Sequence, residues 1–262
     1  MTDTKPLAVV TGASSGIGRE LARQFATNGF DVIVTAEDTG LLAAADDLAA
    51  TGADIQPVRA DLAAFSGVEQ LLQAIADTGR EMDAIALNAG VGNGGAFIDV
   101  PLADEERLID LNIGSTVHLA KRILPDMVAR GAGRVLFTSS VASQMPGPYY
   151  ATYAASKAFI QSFAQALRYE LKDTGVTVTA LLPGPTDTEF FERAGMEGTP
   201  AGSAGKDDPA DVARDGFEAL MAGKSQVVAG SAKNKVQAAA AKLLPDQARA
   251  AAHATMTKPE GE

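Results

Sequence analysis

Short apolar runs alternate with stretches of helical periodicity along most of the chain. Each run is continuously apolar, which is typical of strands buried on both faces of a parallel sheet. Helical spacing is found over residues 38–50, 68–76, 103–111 and 112–129, after the first run and again from Tyr153 onward. This alternation predicts an α/β fold with a doubly wound parallel sheet and helices on both faces. The predicted strands are Leu7–Thr11, Asp31–Ala36, Ile55–Ala60, Met82–Leu87, Arg134–Ser139, Val176–Leu182 and, at the edge, Gln226–Ala229.

No linker or internal repeat interrupts this pattern, so a single domain is expected over residues 1–262. Its core would cover about residues 6–230, followed by a helical extension over residues 231–262. Within that extension an alanine-rich helix is expected over Ala232–Leu244, and a second helical stretch after Pro245. The extension could cover a pocket, bind a partner or lie on a membrane surface. The alternative is a helix packed on its own domain with a frayed tail.

Composition excludes several classes of function. The formal net charge is −11 and the isoelectric point is near 4.7, which argues against nucleic acid or an anionic membrane as a general partner. The chain has no cysteine and two histidines, His118 and His253, so neither a disulfide nor a metal centre is expected. Without a secretory signal pattern or a long apolar span, the expected location is the cytoplasm.

A glycine-rich turn follows the first predicted strand and precedes a helix. Gly12 permits a tight turn, Gly16 permits close approach of the backbone to a pyrophosphate, and Gly18 permits close packing of helix on strand. The helix N-terminus there would present N–H groups to the phosphates. A dinucleotide site is therefore predicted, although such a turn can also be purely structural. The segment reads Thr11-Gly12-Ala13-Ser14-Ser15-Gly16-Ile17-Gly18.

Three side chains could carry proton chemistry. Tyr153 and Lys157 lie one turn apart on the same face of a predicted helix. An ammonium group there would lower the phenol pKa from its ordinary value of about 10. Ser140 leaves the end of the preceding strand and could hold a carbonyl oxygen beside the phenol. Taken alone, such a pair is more often a surface tyrosine beside a solvated lysine.

Together these motifs resemble those of the short-chain dehydrogenase/reductase family, in its compact single-domain branch. The resemblance covers about residues 6–230 and adds Asp61-Leu62, Asn88-Ala89-Gly90, Asn112 and a turn beginning at Pro183-Gly184. It implies a Rossmann-type sheet of about seven strands and the catalytic residues Asn112, Ser140, Tyr153 and Lys157. The cofactor-binding residues that it implies are Gly12, Ser14, Ser15, Gly16, Ile17, Gly18, Glu37, Asp61, Leu62, Asn88, Ala89, Gly90, Tyr153, Lys157, Pro183, Gly184, Thr186 and Thr188.

The activity implied by the resemblance is NAD(P)-dependent interconversion of a secondary alcohol and a ketone. Tyr153 would exchange a proton with the substrate oxygen, and Ser140 would bind that oxygen. Lys157 would lower the tyrosine pKa and hold the nicotinamide ribose, while Asn112 would interrupt its helix and hold a water in a proton relay. The family also implies a homodimer or homotetramer formed through the Asn112 and Tyr153 helices. Two alternatives are a dinucleotide-binding sensor or scaffold and, fitting poorly, a sugar-nucleotide epimerase or dehydratase.

The choice of cofactor depends on the end of the second strand. Glu37 stands where family members that prefer NADP usually carry an arginine, and Ala36 stands where NAD-preferring members usually carry an aspartate. A carboxylate near the adenosine ribose can accept a hydrogen bond from its 2′-hydroxyl and would repel a 2′-phosphate. We therefore predict NAD(H), with NADP(H) as the alternative. Glu37 and Asp38 could instead simply cap the next helix.

Three segments are expected to surround the substrate: residues 91–97, 141–150 and 185–206. The last is long and carries Phe190, Phe191 and Met196, which suits a mobile lid that excludes water. These contents predict a mostly apolar small-molecule substrate.

Overall fold

The apolar runs pair into one parallel sheet with the strand order β3-β2-β1-β4-β5-β6-β7. The computed structural model describes residues 5–230 and 245–258. The chain builds outward from β1 to β3, returns to the centre at β4 and then builds the other half of the sheet. A crevice at the carboxyl ends of β1 and β4 follows from this reversal. The strands are β1 Leu7–Thr11, β2 Asp31–Ala36, β3 Ile55–Arg59, β4 Met82–Leu87, β5 Gly133–Thr138, β6 Val176–Leu182 and β7 Gln226–Val228.

Helices cover both faces of the sheet, as predicted. The helices are α1 Gly16–Thr27, α2 Gly40–Ala49, α3 Phe65–Asp77, α4 Leu102–Ile109, α5 Ser115–Arg130, α6 Ala151–Glu170, α7 Phe190–Arg193, α8 Pro200–Ser203, α9 Pro209–Met221 and α10 Asp246–Thr257. On one face, Leu71, Leu119 and Ile160 bring α3, α5 and α6 into one apolar cluster with the sheet. On the other face, Phe25 and Phe217 join α1 and α9 to alternate residues of the same strands. The doubly wound α/β prediction is therefore confirmed.

Several predicted boundaries differ from those observed: β5 runs over Gly133–Thr138 instead of Arg134–Ser139, and β7 ends at Val228 instead of Ala229. The third strand ends at Arg59 instead of Ala60 and contains Pro57. A proline cannot donate to a sheet ladder, and β3 can carry one because it lies at the sheet edge. The helices predicted over residues 103–111 and 112–129 are joined by a π-helical segment, Asp110–Gly114.

The C-terminal extension contributes α10, which follows Pro245 and lies where a second helical stretch was expected. The helix expected over Ala232–Leu244 lies outside the described residues. Across residues 5–230 and 245–258, no helix is both long and apolar enough to cross a membrane.

Truncating Phe25 tests the packing of α1. Its ring is fully buried and meets the rings of Phe30 and Phe217 edge to face, with centroid distances of 5.2 Å in both cases. We expect Phe25→Ala to lower the free energy of unfolding in urea by about 3–5 kcal/mol, because it leaves a cavity. The same change at Phe97, whose ring is 63% exposed, should cost less than about 0.5 kcal/mol. Equal losses would contradict this assignment of the core.

Candidate active site

The glycine-rich turn lies at the end of β1, where the sheet reverses its winding. Gly12 and Gly16 have φ values of 67° and 54°, a region that favours glycine. A Cβ atom at Gly18 would lie 2.0 Å from the Gly12 carbonyl oxygen, so a larger residue would push α1 away from the turn. Among the described residues, the Ser15 side chain makes no capping bond at the start of α1. The first N–H groups of this helix are thus suited to the phosphates of a dinucleotide.

Asn88 connects the carboxyl ends of β1, β4 and β5. Its Nδ2 donates to the Thr11 carbonyl oxygen at 3.1 Å, and its Oδ1 accepts from the Thr138 hydroxyl at 3.0 Å. The Thr11 hydroxyl in turn accepts from the N–H groups of Asn88 and Ala89, both at 2.9 Å. Gly90 continues this segment along the floor of the cleft. The motif predicted to bind cofactor therefore also stabilises the sheet beneath it.

Asn112 lies in the π-helical segment, which agrees with the expected interruption of its helix. Its side chain is buried and bonds both backbone groups of Val91: Oδ1 accepts from the N–H and Nδ2 donates to the carbonyl, at 2.9 Å each. Nδ2 also donates to the Ser156 hydroxyl on α6 at 3.0 Å. Asn112 thus joins the strand β4 exit to the helix that carries Tyr153 and Lys157.

The structure brings Ser140, Tyr153 and Lys157 together in one buried group. Burial raises the pKa of Tyr153 to about 12, and a hydrogen bond from Ser140 opposes that rise. The expectation that Lys157 sets a lowered tyrosine pKa is therefore wrong for this arrangement. The ammonium lies 5.7 Å from the centre of the phenol ring, and burial, which disfavours the phenolate, sets the direction of the shift.

Lys157 is held by the strand below it. Its ammonium donates to the Thr138 carbonyl oxygen at 3.0 Å, and burial lowers its pKa to about 8. A Cβ atom at Gly90 would lie 3.2 Å from this nitrogen, so the ammonium reaches the floor of the cleft. The lysine remains mostly protonated at neutral pH and can present a cation to the cleft.

Arg107, on α4, is a residue that sequence reasoning missed. Its guanidinium pairs with the Glu37 carboxylate and also with Asp61, at 3.1 Å to one carboxylate oxygen and 3.3 Å to the other. Burial raises the pKa of Asp61, but hydrogen bonds from Arg107 and the Ala63 N–H hold it below its ordinary value. Both carboxylates line the cleft. Glu37, the carboxylate predicted to lie near the adenosine ribose, is therefore paired with the Arg107 guanidinium.

Of the two carboxylates that could cap the helix after β2, Asp38 bonds its first turn and Glu37 does not. Asp38 Oδ1 accepts from the Gly40 N–H at 2.9 Å, beside the start of α2. Its Oδ2 accepts from the Ser14 hydroxyl at 2.6 Å, which ties the glycine-rich turn to the end of β2. Glu37 faces Arg107 and the cleft instead.

The turn after β6 closes the cleft opposite the glycine-rich turn. A Cβ atom at Gly16 would lie 2.8 Å from the Thr188 methyl group, so the two turns are in direct contact. The Thr186 hydroxyl donates to the Gly184 carbonyl oxygen at 2.9 Å. The other predicted cofactor residues that line the same cleft are Ser15, Ile17, Leu62, Ala89 and Pro183.

One end of this cleft is apolar and aromatic. The volume of the whole cleft is about 450 Å³, which is within the range of small-molecule sites. The Tyr153 ring lies between those of Tyr150 and Phe190, with centroid distances of 5.4 and 5.1 Å. Of the predicted substrate segments, Phe97 instead points to solvent. The remaining wall comes from α10, in the extension for which a pocket cover was one of the possibilities: Arg249, Ala252, His253 and Met256.

Comparison with known proteins identifies the family. A profile of the short chain dehydrogenase family matches residues 6–197. The chain belongs to the short-chain dehydrogenase/reductase family, whose members are oxidoreductases that act on CH–OH groups with NAD(P). The resemblance seen in the sequence motifs is therefore confirmed.

Individual relatives cover most of the chain. Oxidoreductase UcpA of Salmonella typhimurium is 33% identical over 210 residues, which are 80% of this chain and 78% of UcpA. A short-chain dehydrogenase from Sphingobium yanoikuyae in complex with NADPH is 29% identical, with a TM-score of 0.79 and coverage of 85% and 87% of the two chains. A Burkholderia phymatum family member in complex with NAD is 25% identical, with a TM-score of 0.80 and coverage of 93% and 94%. Similar structures therefore hold either nucleotide.

Replacing Arg107 tests the charge balance at the adenosine end. Arg107→Gln leaves Glu37 and Asp61 without their shared cation, and these carboxylates should then repel a 2′-phosphate. We expect the Kd for NADPH to rise by about tenfold and the Kd for NADH to change by less than about twofold. Fluorescence titrations of the reduced nucleotides measure both constants.

Two variants control for charge and position. Arg107→Lys keeps the positive charge and should retain most of the NADPH affinity. Arg214→Gln removes an exposed cation paired with Asp211 and should leave both constants unchanged. An equal loss of affinity for both nucleotides in Arg107→Gln would show that Arg107 plays no part in discrimination.

Proposed function

We propose that the protein interconverts a secondary alcohol and a ketone with NAD(P)(H), using Tyr153 as the acid and base. The observation that carries this proposal is the buried group in which the Ser140 hydroxyl lies beside the Tyr153 phenol and Lys157 lies one helical turn away. NAD(P), when bound, supplies or accepts the hydride. The residues of this chain bind the oxygen of the substrate and move its proton.

Tyr153 is the group proposed to exchange that proton. A pKa of about 12 keeps the phenol protonated at neutral pH, which is the form required to donate a proton to a ketone oxygen. Ser140 has its hydroxyl beside the phenol and would bind the same oxygen. As that oxygen gains negative charge, hydrogen bonds from both hydroxyls would strengthen. Both hydroxyls would thus stabilise the substrate oxygen while the phenol donates its proton.

Lys157 and Asn112 are proposed to support this step. The Lys157 ammonium reaches the cleft floor beside Gly90 and would hold the nicotinamide ribose. Asn112 lies on the same side of Gly90, where a Cβ atom would be 3.1 Å from its Oδ1. A water held near Asn112 would complete a proton relay to Lys157. The π-helical turn, which displaces the backbone there, supports this role.

The proposed substrate is mostly apolar. Tyr150, Phe190 and Phe191 surround the approach to Tyr153, and Met196 and Met256 complete the wall. Aromatic and thioether side chains bind apolar groups by burial and dispersion. A ketone with hydrocarbon or aryl groups on both sides fits this surface.

NAD(H) is the proposed nucleotide. Glu37 lines the cleft at the end of β2, where it could accept a hydrogen bond from the 2′-hydroxyl of the ribose. The pairing with Arg107 reduces its repulsion of a 2′-phosphate, so the preference should be moderate. The nucleotides bound by the similar structures, one NADPH and one NAD, are compatible with such a site.

The assembly proposed from the family is a homodimer or homotetramer formed through α5 and α6. Exposed apolar side chains on these helices support the proposal: Val117 and Val128 on α5, and Phe159 and Tyr169 on α6. Burial of such side chains in an interface would remove apolar surface from water.

Tyr153→Phe tests the proposed acid. We expect kcat for the best substrate in a ketone panel to fall by about a hundredfold or more, because the proton donor is lost. The Kd for NADH should change by less than about twofold, since the ring still packs between Tyr150 and Phe190.

The matched control is Tyr169→Phe, which removes an exposed phenol hydroxyl on the same helix. It should retain full activity. Wild-type turnover in Tyr153→Phe would overturn the mechanism.

Glu37→Arg tests the proposed nucleotide preference. The new guanidinium can bind a 2′-phosphate beside Arg107, so the ratio of the NADPH Kd to the NADH Kd should fall by about tenfold. Parallel fluorescence titrations measure both constants, and the absence of tryptophan keeps the background low.

Glu81→Arg makes the same change of net charge at an exposed site and should leave the ratio unchanged. If Glu37→Arg also leaves it unchanged, Glu37 does not contact the ribose. Tighter binding of NADPH than NADH by the wild-type protein would exclude the proposed preference.

A further inference from the structure

The C-terminal helix α10 is hydrogen-bonded at several points to the loop that precedes α6. Along its length, Arg249, His253 and Thr257 reach residues 144–150. Arg249 donates to the Gln144 carbonyl oxygen at 3.0 Å, and the Thr257 hydroxyl donates to the Pro148 carbonyl oxygen at 2.8 Å. His253 makes the two central contacts. The outer wall of the substrate end is therefore fastened to the segment that leads into Tyr153.

Both ring nitrogens of His253 have partners, and those partners define its tautomer. Nδ1 lies 2.8 Å from the Pro146 carbonyl oxygen, which can only accept, so Nδ1 carries the hydrogen. Nε2 lies 2.6 Å from the Tyr150 hydroxyl. In a neutral imidazole Nε2 is then the acceptor, and Tyr150 donates to it. Burial lowers the pKa of His253, which favours this neutral form.

Tyr150 transmits this contact to the proposed acid. Its ring stacks on that of Tyr153 at 5.4 Å with an interplanar angle of 17°. Both rings are buried, at 9% and 8% exposure. The preceding residue, Tyr149, has a φ of 62°, a conformation that side-chain-bearing residues adopt only when their surroundings hold it. His253 therefore contacts the hydroxyl of Tyr150, while Tyr153 stacks on its ring.

We propose that His253 is a positioning residue that holds the Tyr150 ring against Tyr153 and makes α10 the outer wall of the substrate pocket. This inference rests on the proposed function and assigns the C-terminal extension a part in it. His253 does not touch the reacting atoms in this proposal. It acts through the acceptor at Nε2, and without that acceptor the Tyr150 ring can rotate away from Tyr153.

Two substitutions at position 253 separate the two contacts of the imidazole. An asparagine amide can replace the Nδ1–H donor to Pro146 but cannot reach Tyr150. A glutamine oxygen can occupy the Nε2 position and accept from Tyr150. We expect His253→Asn to lower kcat by about tenfold, because small displacements of an acid are costly. His253→Gln should stay within about threefold of wild type.

Steady-state kinetics with acetophenone, 2-octanone and benzil, using NADH and then NADPH, measure these effects. Tyr150→Phe keeps the ring but removes its donor, and should also lower kcat. The double variant His253→Asn/Tyr150→Phe should be no slower than the slower single variant, because both remove one interaction. Multiplying losses, or a His253→Gln variant as slow as His253→Asn, would overturn the proposal.

Two threonines on α10 separate positioning from docking of the helix. Thr257→Val removes the contact to Pro148 and should raise KM for the ketone while leaving kcat unchanged. Thr255→Ala alters an exposed position on the same helix and should change neither constant. If His253→Asn raises only KM, as expected for Thr257→Val, then His253 merely docks the helix.

Nuclear magnetic resonance of ¹⁵N-histidine-labelled protein tests the contact without turnover. The chain has two histidines, so His118→Gln assigns the signals. We expect His253 to be neutral at pH 7 with its hydrogen on Nδ1, and Tyr150→Phe to shift the Nε2 resonance. A hydrogen on Nε2, or a protonated ring, would overturn the proposal. If the wild-type protein binds NADH but reduces none of the ketones, the proposed function is contradicted but the role of His253 is not. The tautomer of His253 seen by nuclear magnetic resonance then decides whether this residue holds Tyr150.

Discussion

The hydrogen bonds of Asn88 are the constraint on which both halves of the site depend. One amide joins the Thr11 carbonyl of β1 to the Thr138 hydroxyl of β5, across the point where the sheet reverses its winding. The Thr138 carbonyl then receives the Lys157 ammonium. A single chain of contacts therefore runs from β1, which leads into the glycine-rich turn, to α6, which carries the proposed acid. Displacing any residue in this chain of contacts would move the glycine-rich turn relative to Tyr153, the proposed acid.

Burial at the centre of this framework sets the charges of the site. Desolvation disfavours a phenolate at Tyr153 and an ammonium at Lys157 alike, so it raises one pKa and lowers the other. Only hydrogen bonding from Ser140 opposes the rise at Tyr153 among the causes identified for it. The burial that would surround a substrate thus also raises the pKa of the phenol. Substrate affinity and the protonation state of the acid have a common physical origin.

The parts that could be predicted from the sequence are those with local causes. Apolar runs defined the strands, and glycine spacing defined the turn, because both depend on neighbouring residues. The four-residue spacing placed Tyr153 beside Lys157 but gave no measure of burial, and the predicted direction of the pKa shift was therefore wrong. Arg107 reaches Glu37 across 70 positions and His253 reaches Tyr150 across 103. Only tertiary packing brings such pairs together, and no spacing rule in the sequence indicates them.

These two long-range contacts lie at opposite ends of the cleft and on elements outside the central sheet. Arg107 comes from α4 and modifies the charge near Glu37, while His253 comes from α10 and reaches Tyr153 through Tyr150. The sheet edge and α6 carry the residues that the family shares as motifs. Replacing Arg107 would change the charge beside Glu37 and Asp61 and would remove none of the Asn88 hydrogen bonds. A change in α10 can reshape the substrate end without disturbing the glycine-rich turn. The contacts near Glu37 and those near Tyr150 therefore come from two different helices, α4 and α10.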